Sequence, residues 1–295
     1  MGGNGLSGVG GRHYRDGMEQ SARNISDRPT DHQVWAITGA SGRIGTVLRQ
    51  AMLPEVARLV LIDVVPPQHL DARESAPSAE LGDPASLRAA LQGVDGVVHL
   101  AGVPDEADFH DLVEANIIGT WHLLEAARQA GVRRVILAST GRVIGMYDIG
   151  EQVDVSMPTR PDGLYAVTKT TVEQLGRLYA EKFGLEVVAL RIGAFKPLPE
   201  GARDLTIWVS HDDAARAFLA AMRHEPVVFE TMFAYSDNSD GMVDLEAGRR
   251  LGFEPRDDAA RHRDEIPGRP APVTSGPVGG RLASPEFTLS KQRPF

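Results

Sequence analysis

Two side chains with matched acid–base chemistry stand four residues apart in the segment Tyr165-Ala-Val-Thr-Lys169. On a helix, residues i and i+4 lie on one face, so the phenol and the ammonium group would be neighbours. A tyrosine is a weak base at neutral pH because its reference pKa is about 10, and a nearby ammonium group favours the phenolate. The pair therefore predicts a site where Tyr165 removes a proton from a substrate hydroxyl and Lys169 tunes that tyrosine.

A third hydroxyl is expected close to this pair. Ser139 and Thr140 follow the apolar run 135–138, which is typical of a buried strand. Either hydroxyl could hydrogen-bond the substrate oxygen, and a hydroxyl at a strand end can equally cap the loop that follows. The sequence alone leaves the choice between the two residues open.

The segment Thr38-Gly-Ala-Ser-Gly-Arg-Ile-Gly45 places Gly39, Gly42 and Gly45 between an apolar strand pattern and a helical one. Glycines at this spacing permit a tight turn, a close approach of a pyrophosphate to the backbone, and close packing of helix on strand. The helix N-terminus then offers free N–H groups to the phosphates, with Arg43 and Ile44 inside the loop. The segment predicts a dinucleotide site, and Tyr165 and Lys169 become a specific signal only beside it.

The choice of dinucleotide depends on Asp63, which ends the second strand pattern. A carboxylate there can accept hydrogen bonds from the adenosine ribose and would repel a 2′-phosphate, so it favours NAD over NADP. Arg43 is a counter-signal, because an arginine in this loop could pair with a 2′-phosphate. Asp83 is compatible with two roles, an adenine contact and the cap of the helix that begins at Pro84. Leu100, Ala101 and Gly102 follow the strand that ends in His99, and small residues there would let the cofactor lie close.

Short apolar runs alternate with helical patterns along the chain. Strands are predicted at 34–38, 58–63, 96–100, 134–139, 186–191 and 227–235. Helices are predicted at 43–51, 84–91, 107–130, 163–183, 210–224 and 243–251. Continuous apolar strands alternating with helices indicate a Rossmann-type α/β fold with a doubly wound parallel sheet.

Four segments are predicted. Residues 1–32 read as a flexible extension because they are rich in glycine. Residues 33–195 read as the NAD-binding domain with the catalytic helix, and residues 196–264 as a small substrate-side region on the same core. Residues 265–295 read as an irregular tail rich in proline and glycine, wrapped on the body.

Composition excludes several classes of function. The chain has 295 residues, a formal net charge of −9 and no cysteine, so it lacks disulfides, thiol nucleophiles and cysteine metal sites. The acidic balance and the 6% aromatic content give no support for nucleic-acid binding. No apolar run approaches the roughly 20 residues that a membrane helix needs, and a cytoplasmic enzyme without a metal is predicted.

The segments 38–45, 115–120 and 165–169, together with Asp63 and the strand end 99–102, resemble the extended short-chain dehydrogenases/reductases, which include sugar-nucleotide epimerases and dehydratases. The segments 160–169, 190–193, 207–213 and 251–258 resemble, more narrowly, the uronate dehydrogenases. That resemblance implies NAD-dependent oxidation of the anomeric carbon of a cyclic hexuronate to a lactone. It also implies Tyr165 as base, Lys169 as its tuner and ribose anchor, and Thr140 at the position of the catalytic serine. Ile192 is expected beside the cofactor, and Arg203 matches the arginine that binds the substrate carboxylate.

Four positions depart from the uronate dehydrogenase pattern. Gly141-Arg142 stands where that family has Asn-His, and Pro104 and Ala194 replace serines that contact substrate. Arg142 adds a second cation that is predicted to bind the substrate. The altered positions leave the identity of the sugar acid open.

Three functions remain as hypotheses: a dehydrogenase of a hexuronate or related sugar acid, a sugar-nucleotide epimerase or dehydratase that retains NAD, and a non-catalytic NAD-binding regulator. The intact pair of Tyr165 and Lys169 favours the enzymes. The predicted helices 107–130 and 163–183 carry apolar residues on more than one face. Such helices pair across dimer axes in the superfamily that the chain resembles, so a dimer-based homo-oligomer is expected.

Overall fold

A parallel β-sheet runs through residues 32–294, the part of the chain that the computed structural model describes. The strands are β1 (Val34–Thr38), β2 (Arg58–Ile62), β3 (Glu74–Ser75), β4 (Gly96–His99), β5 (Arg134–Thr140), β6 (Glu186–Ile192), β7 (Ala194–Phe195), β8 (Trp208–Val209) and β9 (Phe229–Ala234). Seven of them pair in the order β3-β2-β1-β4-β5-β6-β9, all parallel, and β7 pairs with β8 separately. Their apolar and β-branched residues are buried because helices cover both faces.

The helices are α1 (Arg43–Met52), α2 (Pro84–Ala90), α3 (Phe109–Leu112), α4 (Gly119–Ala130), α5 (Leu164–Phe183), α6 (Asp204–Ile207), α7 (His211–Arg223), α8 (Glu246–Arg250) and α9 (Pro285–Leu289). Leu48 of α1 and Phe218 of α7 belong to the core on one face of the sheet. Leu87 of α2, Leu123 of α4 and Val172 of α5 belong to the core on the other face. The predicted doubly wound Rossmann-type fold is therefore confirmed.

The strand order explains where a ligand can bind. The chain leaves β1 toward β2 and β3, then returns to β4 on the other side of β1 and continues outward to β9. Loops that leave the carboxyl ends of β1 and β4 in opposite directions open a crevice between them. The glycine-rich loop and the predicted catalytic residues lie along this edge of the sheet.

Several predicted elements differ in detail from those observed. The helix predicted over 107–130 begins at Phe109 and is a π-helix over Val113–Ile118, where buried Asn116 donates to the carbonyl of Val103. The helix predicted from Val243 starts at Glu246, because Val243 forms a bridge with Val153 and Asp244 accepts the N–H of Glu246. The short strands β3, β7 and β8 and the one-turn helix α6 were not predicted.

The two ends of the chain are described unequally. Of the predicted N-terminal extension, residues 1–31 lie outside the described residues. The tail, predicted as irregular, contains a 3-10 helix at Gly280–Ala283 and then α9, because Ser284 caps α9 through the N–H of Phe287 and Pro285 occupies its first turn. Gln292 anchors the tail by accepting the N–H of Phe109 and donating to the carbonyl of Ala107.

Residues 196–264, predicted as a substrate-side region, supply the edge strand β9 and the helix α7 that packs on the main sheet. The predicted cap of α7 is confirmed, since Ser210 Oγ accepts the N–H of Asp213 at 2.9 Å. None of the helices within residues 32–294 is long and apolar enough to cross a membrane.

Candidate active site

A cavity of about 1100 Å³ follows the carboxyl edge of the sheet. Asp63 lines it beyond β2, and Tyr235 lines it beyond β9. Nearly all of the predicted site residues line this cavity, namely Gly39, Gly42, Arg43, Ile44, Gly45, Asp63, Leu100, Ala101, Gly102, Thr140, Arg142, Tyr165, Lys169, Ile192 and Arg203. The fold therefore brings the glycine loop, the acid–base pair and two arginines into one space.

The glycine loop between β1 and α1 has no room for side chains at two of its positions. Gly39 has a φ of +72°, and a Cβ there would lie 2.8 Å from the backbone nitrogen of Ala101. A Cβ on Gly45 would lie 2.3 Å from the carbonyl oxygen of Gly39. The N-cap of α1 is Gly42, which supplies no side-chain cap, so the first-turn N–H groups are free to meet an anion. This backbone fits a dinucleotide pyrophosphate.

At the adenosine end of the cavity, the backbone holds Asp63 in place. Its carboxylate accepts the N–H of Ser41 at 2.9 Å and that of Val65 at 3.0 Å. Asp83 instead accepts the N–H groups of Ala85 and Ser86 and caps α2, and it does not line the cavity. The cap predicted for Asp83 is confirmed. The adenine contact, its other predicted role, stays a prediction, and residues 80–82 form the neighbouring wall of the cavity.

Tyr165 and Lys169 lie on the first turns of α5, facing β5. The Lys169 ammonium group donates to the carbonyl of Ala138 at 3.0 Å and lies 5.8 Å from the centre of the Tyr165 ring. Burial lowers the pKa of Lys169 to about 8. Burial also raises the pKa of Tyr165 to about 12, against the opposing effects of the Arg142 charge and a hydrogen bond with Thr140. The cation that opposes the rise in the tyrosine pKa is therefore Arg142 and not Lys169, to which the sequence had assigned that role.

The structure separates the two hydroxyls at the end of β5. Ser139 donates to Glu173 at 2.6 Å, and Glu173 is itself paired with Arg191, so the Ser139 hydroxyl is held within the protein. Thr140 lines the cavity next to Tyr165, with which it shares a hydrogen bond, and its hydroxyl accepts the N–H of Arg142 at 3.3 Å. This arrangement favours Thr140 over Ser139 as the hydroxyl that meets a substrate oxygen.

Arg142 lies over the Tyr165 ring, with its guanidinium carbon 5.3 Å from the ring centre. It forms ion pairs with Asp105 at 2.8 Å, Glu106 at 3.1 Å and Asp162 at 2.8 Å. Burial raises the pKa of Asp162, while the charge of Arg142 opposes that increase. The charge of Arg142 is thus matched by three carboxylates before any ligand arrives.

Glu106 connects this ion-pair cluster to the catalytic helix. Its carboxylate accepts the N–H of Leu164 at 2.8 Å and that of Tyr165 at 3.3 Å, because the N-cap Gly163 provides no side chain. A carboxylate at a helix N-terminus satisfies otherwise unpaired N–H groups and complements the helix dipole. Arg142 and Glu106 together fix the position of Tyr165.

Arg203 lines the cavity and forms no ion pair with any carboxylate in residues 32–294. Its Nε donates to the carbonyl of Val278 at 2.9 Å, while its terminal nitrogens have no hydrogen-bond partner within residues 32–294. Burial lowers the pKa of Arg203, and nearby Tyr235 and Asp162 oppose that effect. Arg203 is therefore the cavity arginine best placed to receive an anionic group.

Sequence reasoning missed several residues that line the cavity: Asp105, Phe195, Lys196, Tyr235, Val278 and Leu282. Tyr235 follows β9 directly, and the rule that ligands meet the carboxyl ends of parallel strands could have identified it. Val278 and Leu282 lie in the proline- and glycine-rich tail, which gives no periodic signal.

His99 has a structural role, as its position within a strand predicts. Its ring nitrogens contact the hydroxyls of Thr38 at 2.7 Å and Thr120 at 3.0 Å. Burial, and then the charge of Lys169, lowers its pKa to about 3, so the ring is neutral. Within residues 32–294, no group of three or more His, Cys, Asp or Glu side chains is placed to hold a metal ion.

Comparison with known proteins agrees with this geometry. The model of the NAD dependent epimerase/dehydratase family matches residues 35–195. A uronate dehydrogenase from Pseudomonas syringae pv. tomato is 34% identical over 244 residues, which are 82% of this chain and 88% of that protein. An L-arabinose 1-dehydrogenase (NAD(P)(+)) from Haloferax volcanii is 34% identical over 76% of this chain and 97% of its own length.

The fold comparison gives the same result. A mutant uronate dehydrogenase from Agrobacterium tumefaciens, solved in complex with NAD, superposes with a TM-score of 0.81 and is 33% identical. The match covers 87% of this chain and 98% of that one.

Proposed function

Because the chain belongs to the NAD dependent epimerase/dehydratase family and within it to the uronate dehydrogenases, we propose that it oxidises a hexuronate at its anomeric hydroxyl with NAD, giving a lactone. One observation carries the proposal: a single cavity holds a pyrophosphate-binding backbone, the pair of Tyr165 and Lys169, and the unpaired guanidinium of Arg203. The first takes the cofactor, the second the reacting hydroxyl, and the third the carboxylate.

The acid–base work belongs to Tyr165. Tyr165 is a phenol at neutral pH in the protein without cofactor, because its pKa is about 12, and the charge of Arg142 favours its phenolate form. That phenolate removes the proton of the anomeric hydroxyl, while Thr140 donates a hydrogen bond to the same substrate oxygen. NAD, when bound, supplies the acceptor for the hydride that leaves the anomeric carbon. Lys169 would hold the ribose hydroxyls of the bound cofactor, and its ammonium group lies 5.8 Å from the centre of the Tyr165 ring.

Arg203 selects for an acid. A guanidinium group can bind a carboxylate with two parallel hydrogen bonds, and Arg203 has no carboxylate partner of its own within the described residues. For Arg142, the three carboxylates around it favour a role in holding Tyr165 and lowering its pKa over a direct role in binding the sugar acid.

NAD is the cofactor of this reaction, and Asp63 supports its use through the adenosine ribose. The carboxylate is oriented by two backbone N–H groups and lies where β2 ends. Arg43 is exposed, lines the same cavity as Asp63 and could pair with a 2′-phosphate. A higher measured affinity for NAD than for NADP would show that Asp63 determines the cofactor preference, and the reverse would show that Arg43 does.

A homodimer fits the surface of the two long helices. Trp121 of α4 is 45% exposed, and Leu178 and Phe183 of α5 are 47% and 43% exposed. Large apolar side chains on adjacent helices favour an isologous interface in which the same helices pair across a two-fold axis. Light scattering should give twice the chain mass, and a monomeric mass would refute the dimer. The cytoplasmic location stays a prediction.

The two other hypotheses are not favoured. Relatives that are at least 30% identical over most of the chain include uronate dehydrogenases, an L-arabinose 1-dehydrogenase and an NAD-dependent glucose-6-phosphate dehydrogenase, all of them dehydrogenases of sugars or sugar derivatives. Neither a sugar-nucleotide epimerase nor a non-catalytic regulator accounts for a cavity that contains both the pair of Tyr165 and Lys169 and an arginine, Arg203, without a carboxylate partner among the described residues.

The test is NADH formation, followed by its absorbance. The purified protein is incubated with NAD and, in separate reactions, with galacturonate, glucuronate, glucose or arabinose. We expect reduction with the uronates, little with the two neutral sugars, and loss of activity in the Tyr165→Phe variant. Equal or faster reduction with the neutral sugars would refute the role of Arg203 and indicate an aldose dehydrogenase. No reduction with any of them would refute the proposed function.

A further inference from the structure

Tyr235, the residue after β9, brings a phenol into the cavity that Thr140 and Arg203 also line. Tyr235 is buried and lines the cavity, and its ring packs edge-on against Phe233 with the ring centres 5.7 Å apart. A phenylalanine could make the same packing contacts. The hydroxyl is therefore the part of Tyr235 that packing does not explain.

That hydroxyl has no hydrogen-bond partner among residues 32–294. Burial raises the pKa of Tyr235 to about 12, with the charges of Arg203 and Arg191 opposing it. The phenol thus stays protonated at neutral pH and can both donate and accept. The oxygen is open to the cavity and is not one of the sealed, unpaired polar atoms of the protein, so a water or a ligand there can hydrogen-bond it.

The hydroxyl occupies the place of a missing side chain. A Cβ on Gly141 would lie 2.0 Å from the Tyr235 oxygen and 3.0 Å from the ring carbon that carries it. Position 141 follows Thr140 directly, where β5 ends. A side chain at position 141 and a tyrosine at position 235 cannot both fit. The space beside Thr140 is therefore filled by the Tyr235 hydroxyl, which comes from the end of β9, and not by a side chain from the end of β5.

The neighbours of the hydroxyl define what it can bind. Thr140 adjoins Gly141 on one side, and the charge of Arg203 acts on Tyr235 from the other. We propose that Tyr235 is a specificity-determining residue whose hydroxyl hydrogen-bonds a ring hydroxyl of the sugar acid, between the anomeric carbon at Thr140 and the carboxylate at Arg203. This inference rests on the proposed function and adds to it a residue that reads the hydroxyl pattern of the substrate.

The Tyr235→Phe variant tests the inference, because it removes the hydroxyl and keeps the ring. We expect KM for the preferred uronate to rise roughly five- to tenfold with NAD affinity unchanged, as for the loss of one hydrogen bond to a neutral group. Tyr147→Phe is the matched control: Tyr147 is buried in the same apolar cluster, but its hydroxyl donates to the carbonyl of Pro158 and it does not line the cavity. The control should leave KM unchanged.

Deoxy-uronates extend the test to the substrate. The analogue that lacks the recognised hydroxyl should bind equally to the wild-type protein and to Tyr235→Phe, whereas the other analogues should keep the difference. Gly141→Ala should be less harmful in the Tyr235→Phe background than alone, because the closest clashing atom is gone.

The outcomes separate this inference from the proposed function. If the wild-type protein oxidises a uronate and Tyr235→Phe does so with the same KM, the inference is overturned and the function stands. If the wild-type protein neither oxidises nor binds any uronate, as measured by calorimetry with NAD present, both are overturned together.

Discussion

Lys169 is held at a cost to the stability of the folded protein, and replacing it with methionine should reveal that cost. The ammonium group is buried, and burial lowers its pKa from 10.5 to about 8. At ~1.4 kcal/mol per pKa unit, keeping the group charged at pH 7 costs roughly 3 kcal/mol. Its hydrogen bond to the carbonyl of Ala138 offsets about 1–2 kcal/mol of that cost.

Lys169→Met keeps the length of the side chain and removes the charge. We therefore expect the protein without NAD to gain about 1–2 kcal/mol in the free energy of unfolding at pH 7, while oxidation of the substrate is lost. A protein of this size should show this gain as an increase in Tm of about 2–6 °C. Lys182→Met is the matched control, because Lys182 is exposed on the last turn of the same helix and should change stability by less than ~0.5 kcal/mol.

The pH dependence gives the prediction a second readout. Between pH 8 and 10.5 the unfolded chain binds a proton at Lys169 more tightly than the folded chain does. The contribution of Lys169 to the free energy of unfolding should therefore rise with pH across this window, and the penalty is complete only below pH 8. The advantage of Lys169→Met should shrink over the same range. A variant that is less stable than wild type at pH 7, or an advantage that does not change with pH, would refute this reasoning.

Three further substitutions test the other parts of the site. Asp63→Asn should weaken NAD binding roughly tenfold or more and bring the affinity for NADP closer to it, since a charged acceptor for the ribose is lost; unchanged affinities in a fluorescence titration would contradict that role. Arg203→Lys should raise KM for a uronate at least ~10-fold with little change for NAD, because the two-pronged guanidinium contact is lost; an unchanged KM would place the carboxylate elsewhere. Arg142→Met leaves the buried carboxylates of Glu106 and Asp162 without their cation and should cost about 3–5 kcal/mol of stability. It should also raise the pKa of Tyr165 and move the pH–rate profile to higher pH; an unshifted profile would show that Arg142 does not act on the tyrosine.

The sheet could be predicted from the sequence because its signals are local. Runs such as 34–37 and 59–62 are apolar throughout, and glycines end the long helices at Gly131 and Gly184, both with positive φ. The capping roles of Asp83 and Ser210 also depend on residues only two or three positions away. Local patterns of this kind survive in the folded chain.

The parts that sequence reasoning missed depend on distant contacts. Three carboxylates surround Arg142, and two of them, Asp105 and Glu106, come from a loop far away in the chain. No spacing rule predicts that Glu106 caps the helix that carries Tyr165. The exclusion between Gly141 and Tyr235 likewise appears only when β5 and β9 lie at one sheet edge. The π-helical turn at Val113–Ile118 accompanies the tertiary contacts of Asn116, which propensities do not contain.

The central claim is that a hydride leaves the anomeric carbon of a uronate for NAD while Tyr165 takes the hydroxyl proton. The most direct measurement uses glucuronate labelled with deuterium at the anomeric carbon and follows both products by NMR. The account predicts that the deuterium appears in the reduced cofactor, that the sugar product is a lactone, and that Tyr165→Phe forms neither. Deuterium retained in the sugar product would contradict it, because oxidation would then occur at another carbon.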